Sequence, residues 1–314
     1  MNDMKVAVLG GGTGMSILLR GLKKLPFDIS AIVTVSDDGC STGRLREEFN
    51  VPAVGDIRKV IVSLSNNSKK VDDLFHYRFD TSSDLDGHAL GNLLLIGASD
   101  IAGNMSDGIE LINSLLHLNG KVIPLTEDNV TLVGIMEDGS KVEGEHVITE
   151  DKRGIRDLEY KEKPVVNPDV LKAIREADAI ILSMGSLFTS IMPNLICEEV
   201  QKEIEKSKAK IIYVCNIMTQ PGETDDFSVS HHVELLNRYL GNRSVDAVVV
   251  NTGEISQDII NKYATTEQKD IVKVDYDNLE KLDVIKDNYI LIEDGIIRHN
   301  SLKVAIDLFS YLMK

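Results

Sequence analysis

No run of lysine and arginine interrupts this chain. With 50 acidic residues against 34 basic ones and a formal charge of -16, that absence excludes a nucleic-acid partner, because a phosphate backbone is repelled unless a basic face is sharply segregated. No stretch reaches the roughly 18 apolar residues that a membrane span needs, so no membrane insertion is expected. The opening "MNDMKVAVLG" runs directly into a glycine turn and carries no cleavage-site pattern. Cysteine is scarce: Cys40, Cys197 and Cys215 are odd in number and unrelated in spacing. That excludes a disulfide framework or a zinc site and suits reduced thiols in a cytosol, with Cys40 a small loop residue rather than a nucleophile. Internal repeats and low-complexity tracts are also missing. The expectation is a soluble, unexported, cytoplasmic globular protein.

What is present is enough apolar material, 43% of 314 residues, for one large core or two modest ones. Apolar runs bounded by turn residues recur: "KVAVLG" at 5, "ISAIVTV" at 29, "AIILSM" at 179, "KIIYVCNI" at 210 and "VDAVVVNTG" at 245. They do not alternate, as strands buried on both faces do not, and stretches with helical spacing separate them. This predicts an α/β protein with a mainly parallel sheet. The first unit reads as strand 5–9, glycine turn 10–14, helix 14–24 and strand 29–35. Between 121 and 160 the texture shortens, and a Glu-Asp-Gly-Ser turn between two strand-like arms predicts a small antiparallel hairpin insertion within a single domain spanning 1–314. The C-terminal stretch reads as a strand, the Asp294-Gly295 turn, a second strand and a closing helix capped by Asn300 or Ser301.

Several strand ends finish in small or polar residues. "GGGTG" at 10–14 opens a helix, where unpaired N–H groups favour a phosphate. Gly10 and Gly12 fit the dinucleotide fingerprint, but Met15 occupies its third glycine position. A glycine turn without ligand is the plainer alternative. After the second strand comes "SDDGCSTGRLREEF", where Asp37 and Asp38 are either turn residues or holders of Mg²⁺ or ribose hydroxyls beside the phosphate turn. Arg44 and Arg46 diverge by roughly 200° on a helix, so one of them faces solvent or pairs with Glu47 or Glu48. Asp56, Arg58 and Lys59 open a helix as a dipole-matched acid with surface bases or as a second phosphate clamp. His88 and Asn92 share a face at four-residue spacing. Ser186, Thr189, Ser190 and Asn194 follow one buried strand, and Asn216, Thr219 and Glu223 follow another. The recurrence predicts one long cleft at the carboxyl ends of the strands.

Together, "AVLGGGTGMS", "VTVSDDGCSTGRLREEF" with "GDIRKVIVSLS", "GHALGNLLL", "GSLFTSIMPNL" and "CNIMTQPGETDDFS" resemble the YvcK-type bacterial gluconeogenesis factors. These share a superfamily with 2-phospho-L-lactate transferase, the CofD enzyme of deazaflavin cofactor synthesis. The resemblance runs from residue 4 to the closing helix. It implies a Rossmann-like three-layer α/β sandwich, a cytoplasmic protein needed for growth and cell shape on gluconeogenic carbon, and binding of UDP-sugars, notably UDP-N-acetylglucosamine. Carried over, the ligand cleft falls on Gly11, Gly12, Thr13, Gly14, Asp37, Asp38, Asn92, Gly185, Ser186 and Asn216. Tyr263 and Arg298 resemble sugar-nucleotide contacts, a tyrosine face suiting uracil and a guanidinium suiting a diphosphate. Mg²⁺ on Asp37 and Asp38 is the one metal expected, and no catalytic residue is assigned.

Three readings follow. The first is a regulatory protein that senses UDP-N-acetylglucosamine and acts through protein partners in cell-wall metabolism, with homo-oligomerisation left open. The "GETDD" segment and the arginine-bearing loop resemble this branch more than the enzyme, and kinship of fold does not confer transferase activity. The second is a Mg²⁺-dependent transferase using a nucleoside diphosphate-linked donor. The third is an NAD-dependent dehydrogenase, for which Ser-Tyr-x-x-x-Lys is absent and His88 is the sole acid-base candidate.

Overall fold

A computed structural model describes residues 3–67, 69–293 and 295–314. Seven strands form one parallel sheet: β1 Met4–Gly10, β2 Phe27–Val33, β3 Lys121–Pro124, β4 Ala179–Leu182, β5 Lys210–Val214, β6 Ala247–Asn251 and β7 Asp283–Asp287. Their spatial order is β7-β6-β5-β4-β1-β2-β3, and each neighbouring pair is parallel. The apolar runs lack alternation because both faces are covered. Along β1, Val6 and Val8 enter one core with helices Gly12–Leu22, Val54–Leu64 and Ser301–Leu312, whereas Ala7 and Leu9 enter the other with helices Pro168–Glu176 and Glu198–Lys206. This is the three-layer α/β arrangement expected from the strand pattern.

Winding reverses between β1 and β4, whose ends lie level, Leu9 opposite Leu182. Strands on either side carry their crossovers away from this point, leaving a crevice at the carboxyl edge where ligands of open α/β sheets collect.

The antiparallel insertion starts later than residue 121. Lys121–Pro124 pairs in parallel with β2 and is an edge strand of the main sheet. The insertion proper is a three-stranded sheet in which Leu132–Met136 lies between Lys141–Glu143 and Ile155–Tyr160. Its hairpin turn falls at Glu137–Ser140 as the Asp-Gly signal predicts, but the second arm is cut to three residues, because Gly144 at φ +98 breaks it and Glu145–Glu150 coils into a helix. Near the C-terminus, Ile290–Glu293 and Ile296–His299 form an antiparallel ribbon. The Asp294 half of its turn lies outside the described residues. Asn300, not Ser301, caps the closing helix, its side chain accepting from the Lys303 N–H.

Candidate functional site

Two glycine turns meet at the crevice. The first follows β1, where helix Gly12–Leu22 begins with no side-chain cap and no acid in its first turn, so its leading N–H groups have no protein acceptor along the helix. Gly12 sits at φ +64, left-handed backbone that suits glycine. Gly14 packs so closely on the second turn that a Cβ there would lie 2.1 Å from the Met184 carbonyl oxygen. The second turn follows β4. Asn216, at the end of β5, grips it from both sides: its Oδ1 accepts from the Gly185 N–H (2.9 Å) and its Nδ2 donates to the Gly185 carbonyl (2.6 Å). Ser186 Oγ donates to Glu223 Oε2 at 2.6 Å and accepts from the Thr189 N–H at 2.8 Å. Residues Leu187–Ile191 then form a single π-helical turn, a local widening frequent at functional sites. Ser186 and Asn216 therefore brace the turn with their side chains, Asn216 taking both the N–H and the carbonyl of Gly185, and free backbone N–H groups come from the first turn.

Across the crevice stands the C-terminal ribbon. Tyr263 Oη accepts from the Ile297 N–H at 2.8 Å, tying helix Gln257–Thr266 to the ribbon. Arg298 is half-buried, with Glu293 Oε2 4.0 Å away. His299 Nε2 lies 3.1 Å from the Cys215 carbonyl, which makes that nitrogen the donor; burial pushes its pKa down to about 4 and keeps the ring neutral. The cleft is open to solvent, holds about 450 Å³ and is lined by Gly11, Thr13, Gly14, Gly185, Ser186, Asn216, Tyr263 and Arg298. The tertiary structure thus gathers two glycine turns and two residues from the last sixth of the chain. Tyr263 is 5% exposed, so it offers the cleft little stacking surface, and exposed Ile296 with partly exposed Ile297 supplies an apolar wall.

Gly12, Asp37, Asp38 and Asn92 do not line this cleft. The two acids diverge. Asp38 Oδ1 accepts from the His146 N–H at 2.8 Å and so caps the short insertion helix that Gly144 leaves uncapped. Asp37 Oδ1 accepts from the Gly39 N–H at 3.0 Å, and its pKa is raised by burial and then by Asp56. Asp56 in turn lies beneath the first glycine turn, its carboxylate 3.5 Å from where a Cβ on Gly12 would be, and pairs with Lys59 at 2.9 Å. A further acid, Glu145, joins from the insertion: burial, followed by the charge of Asp37, pushes it up to about 7. The hard oxygen donors Asp37, Asp56 and Glu145 suit Mg²⁺ chemically, although among the described residues no three His, Cys, Asp or Glu side chains converge closely enough to hold an ion by themselves. Asn92 is 2% exposed, and its Oδ1 has no partner among the described residues.

Other readings change with the fold. Arg46 is buried: its guanidinium donates to the carbonyls of Ser36 (3.0 Å), Asp37 (3.0 Å) and Val130 and to Asn129 Oδ1. It holds the acid loop against the start of the insertion. Arg44 is the exposed one and donates to the Asp86 carbonyl at 2.6 Å rather than to Glu47 or Glu48. Arg58 is buried and reaches the Phe75 carbonyl at 3.3 Å, so it is no phosphate clamp. His88 precedes helix Leu90–Ala102 and contacts Ser41 Oγ at 2.8 Å instead of sharing a helical face with Asn92. Asn194 is fully buried and donates to the Ser190 carbonyl. Sequence reasoning missed Glu145 and His299, because neither carries a local signal: one opens a short helix where the sequence reads as a hairpin arm, and the other ends a ribbon strand.

Residues 6–290 match the family described as 2-phospho-L-lactate transferase CofD. The chain is 43% identical over 306 residues to the gluconeogenesis factor of Bacillus subtilis, covering 96% of each chain. It is 40% identical over 313 residues to that of Listeria innocua, covering 98% of this chain and 95% of the relative. A crystal structure of a Bacillus halodurans protein of the UPF0052 family superposes with a TM-score of 0.93 at 41% identity, covering 96% of this chain and 98% of that one. Fold and sequence thus define one class, a Rossmann-like α/β protein with a glycine turn opening the helix after its first strand. The chain belongs to the CofD family, in its branch of YvcK-type gluconeogenesis factors.

Proposed function

We propose that this gluconeogenesis factor is a cytoplasmic regulatory protein that binds a nucleotide sugar, UDP-N-acetylglucosamine, and acts through protein partners in cell-wall metabolism to support growth and cell shape on gluconeogenic carbon. The observation that carries the reading is the meeting of an uncapped glycine turn, opening helix Gly12–Leu22, with Arg298 across a cleft of about 450 Å³. Backbone N–H groups at a helix N-terminus and a guanidinium suit a diphosphate, while Ile296 and Ile297 offer an apolar wall to a base or an acetamido methyl. His299 stays neutral at physiological pH and adds no repulsion to Arg298. Among the described residues no helix is long and apolar enough to cross a membrane. Calorimetric titration with UDP-N-acetylglucosamine, UDP-glucose, GDP and NAD tests the reading: a uridine-selective isotherm is expected, and preference for NAD or GDP overturns it.

A second reading, a Mg²⁺-dependent transferase with a nucleoside diphosphate-linked donor, is favoured by the acids Asp37, Asp56 and Glu145 beside the first glycine turn. Those carboxylates, which do not converge enough to hold an ion alone, would do so together with phosphate oxygens of the donor, and the ion would neutralise charge on a phosphate leaving group. Incubation with UDP-N-acetylglucosamine, and separately with GDP-linked donors, in Mg²⁺ decides between the two. The binding reading expects no free nucleoside diphosphate; turnover abolished by Asp37→Asn would favour the transferase.

A further inference from the structure

A second cavity adjoins the cleft and differs from the rest of the molecule in charge. It is a half-open hollow of about 720 Å³ along helix Gly12–Leu22, bounded by helix Lys69–His76, the C-terminal ribbon and the start of the closing helix, and it shares Thr13, Ile17, Arg298 and His299 with the cleft. Its walls carry the cations Arg20, Lys23, Lys24, Lys69 and Arg298 against the acids Asp72, Asp73 and Glu293, a local excess of two positive charges in a chain of formal charge -16. The helix dipole accounts for cations at the end of helix Gly12–Leu22, but Lys69 and Arg298 arrive from other elements. Within the described residues, Arg20, Lys24 and Lys69 make no ion pair with a carboxylate, unlike Arg298, which faces Glu293 at 4.0 Å. Lys23 donates to the Ser65 carbonyl, and burial holds its pKa below the usual lysine range, opposed by the charge of Asp72 and aided to a smaller degree by Arg20 and Lys24. The three acids offset part of this charge, and the remaining excess of positive charge around one hollow favours an anion.

We propose that this cavity is a binding site for a small molecule carrying two or more phosphate groups, coupled to the nucleotide-sugar cleft through Arg298. A hollow of this size admits a metabolite, and the acidic surface around it repels a longer polyanion. Hydroxyls of Thr13, Ser16 and Ser301 line the same walls and suit phosphate oxygens. Because one guanidinium faces both spaces, an anion in the cavity competes with a diphosphate in the cleft for the same donor. The coupling is therefore negative, and it is reciprocal. Only this coupling rests on the nucleotide-sugar reading; the cavity site does not.

Inorganic pyrophosphate is the probe, titrated by calorimetry at low ionic strength into the parent and into R20Q/K24Q/K69Q, which alters three exposed side chains outside the cleft. The triple variant is expected to bind pyrophosphate more weakly by about tenfold or more. Its affinity for UDP-N-acetylglucosamine alone should match the parent's. Pyrophosphate at a few times the parent's dissociation constant should weaken UDP-N-acetylglucosamine binding measurably in the parent and clearly less in the triple variant. Should the triple variant melt early, Lys24→Glu alone reads the same loss. Equal pyrophosphate affinity in parent and variants, or none in the parent, overturns the site. If UDP-N-acetylglucosamine binds neither protein, the nucleotide-sugar reading fails while the pyrophosphate arm still decides the cavity.

Discussion

Arg46 and Arg298 carry the same charge, and the fold gives them opposite work. Arg46 spends its donors on carbonyls of the acid loop and on Asn129, so it builds the loop that holds Asp37. Arg298 keeps donors toward the cleft. A charge-assisted contact to a diphosphate is worth about 1.5 to 3 kcal/mol, so Arg298→Ala is expected to weaken UDP-N-acetylglucosamine binding by about tenfold to a hundredfold in calorimetry, with little change in melting temperature. Glu145 makes a prediction of different kind. Its pKa is 4.5 in an unfolded chain and about 7 in the fold. Between those values the folded chain binds more protons than the unfolded one, so this group's contribution to stability falls as pH rises. Glu145→Gln removes that penalty. Urea unfolding without divalent cations should show the variant gaining on the parent at pH 8 by up to about 3 kcal/mol and gaining little at pH 4. An equal gain at both would show that burial does not perturb this carboxyl. Neither role is visible in a run of letters, because both depend on what a side chain meets far along the chain.

At the scale of elements, the glycine turns were the most legible feature. Gly10, Gly12 and Gly14 between a strand and a helix signal tight backbone, and the structure explains each: a Cβ on Gly10 would meet Ser183 Oγ at 2.0 Å, Gly12 is left-handed, and Gly14 touches the second turn. Gly12 itself does not line the cleft, but Gly12→Val strains the left-handed turn that presents Gly11, Thr13 and Gly14 to it, so nucleotide-sugar binding is expected to weaken strongly while the fold survives, since backbone strain of this kind costs about 1 to 3 kcal/mol. Circular dichroism and a melting curve a few degrees lower, together with a much weaker isotherm, would bear this out; a folded variant with unchanged affinity would show that the phosphates lie elsewhere. Less legible were the insertion and the ribbon. The Asp-Gly hairpin signal at 138 was correct, yet residues 121–124 joined the main sheet, because an apolar edge strand gains a parallel ladder with β2 that a short hairpin does not offer. His88 and Asn92 illustrate the converse: four-residue spacing places two side chains together only inside a helix, and this one starts at Leu90.

The whole molecule carries -16, and an anionic ligand must approach it against that field. Long-range repulsion is screened over about 10 Å at 0.1 M salt, whereas a half-buried guanidinium is screened less. The association rate of UDP-N-acetylglucosamine should therefore rise between low and physiological ionic strength in stopped-flow measurements, and the dissociation rate should change less. An association rate that falls with salt would mean that local cations, those around Arg298 foremost, dominate the approach.

The sequence by itself determined the class of sheet, the two glycine turns and the family, since buried apolar runs, glycines at strand ends and ordered motifs are local properties that survive any uncertainty about packing. Only the tertiary structure decided which polar residues share a space. It paired Asn216 with Gly185 across two strands, brought Glu145 from the insertion to Asp37, and set Arg298 opposite a turn nearly the whole chain away. Such meetings follow from strand order and the reversal between β1 and β4, and the free energy that fixes that order is spread over two cores rather than written at any one position.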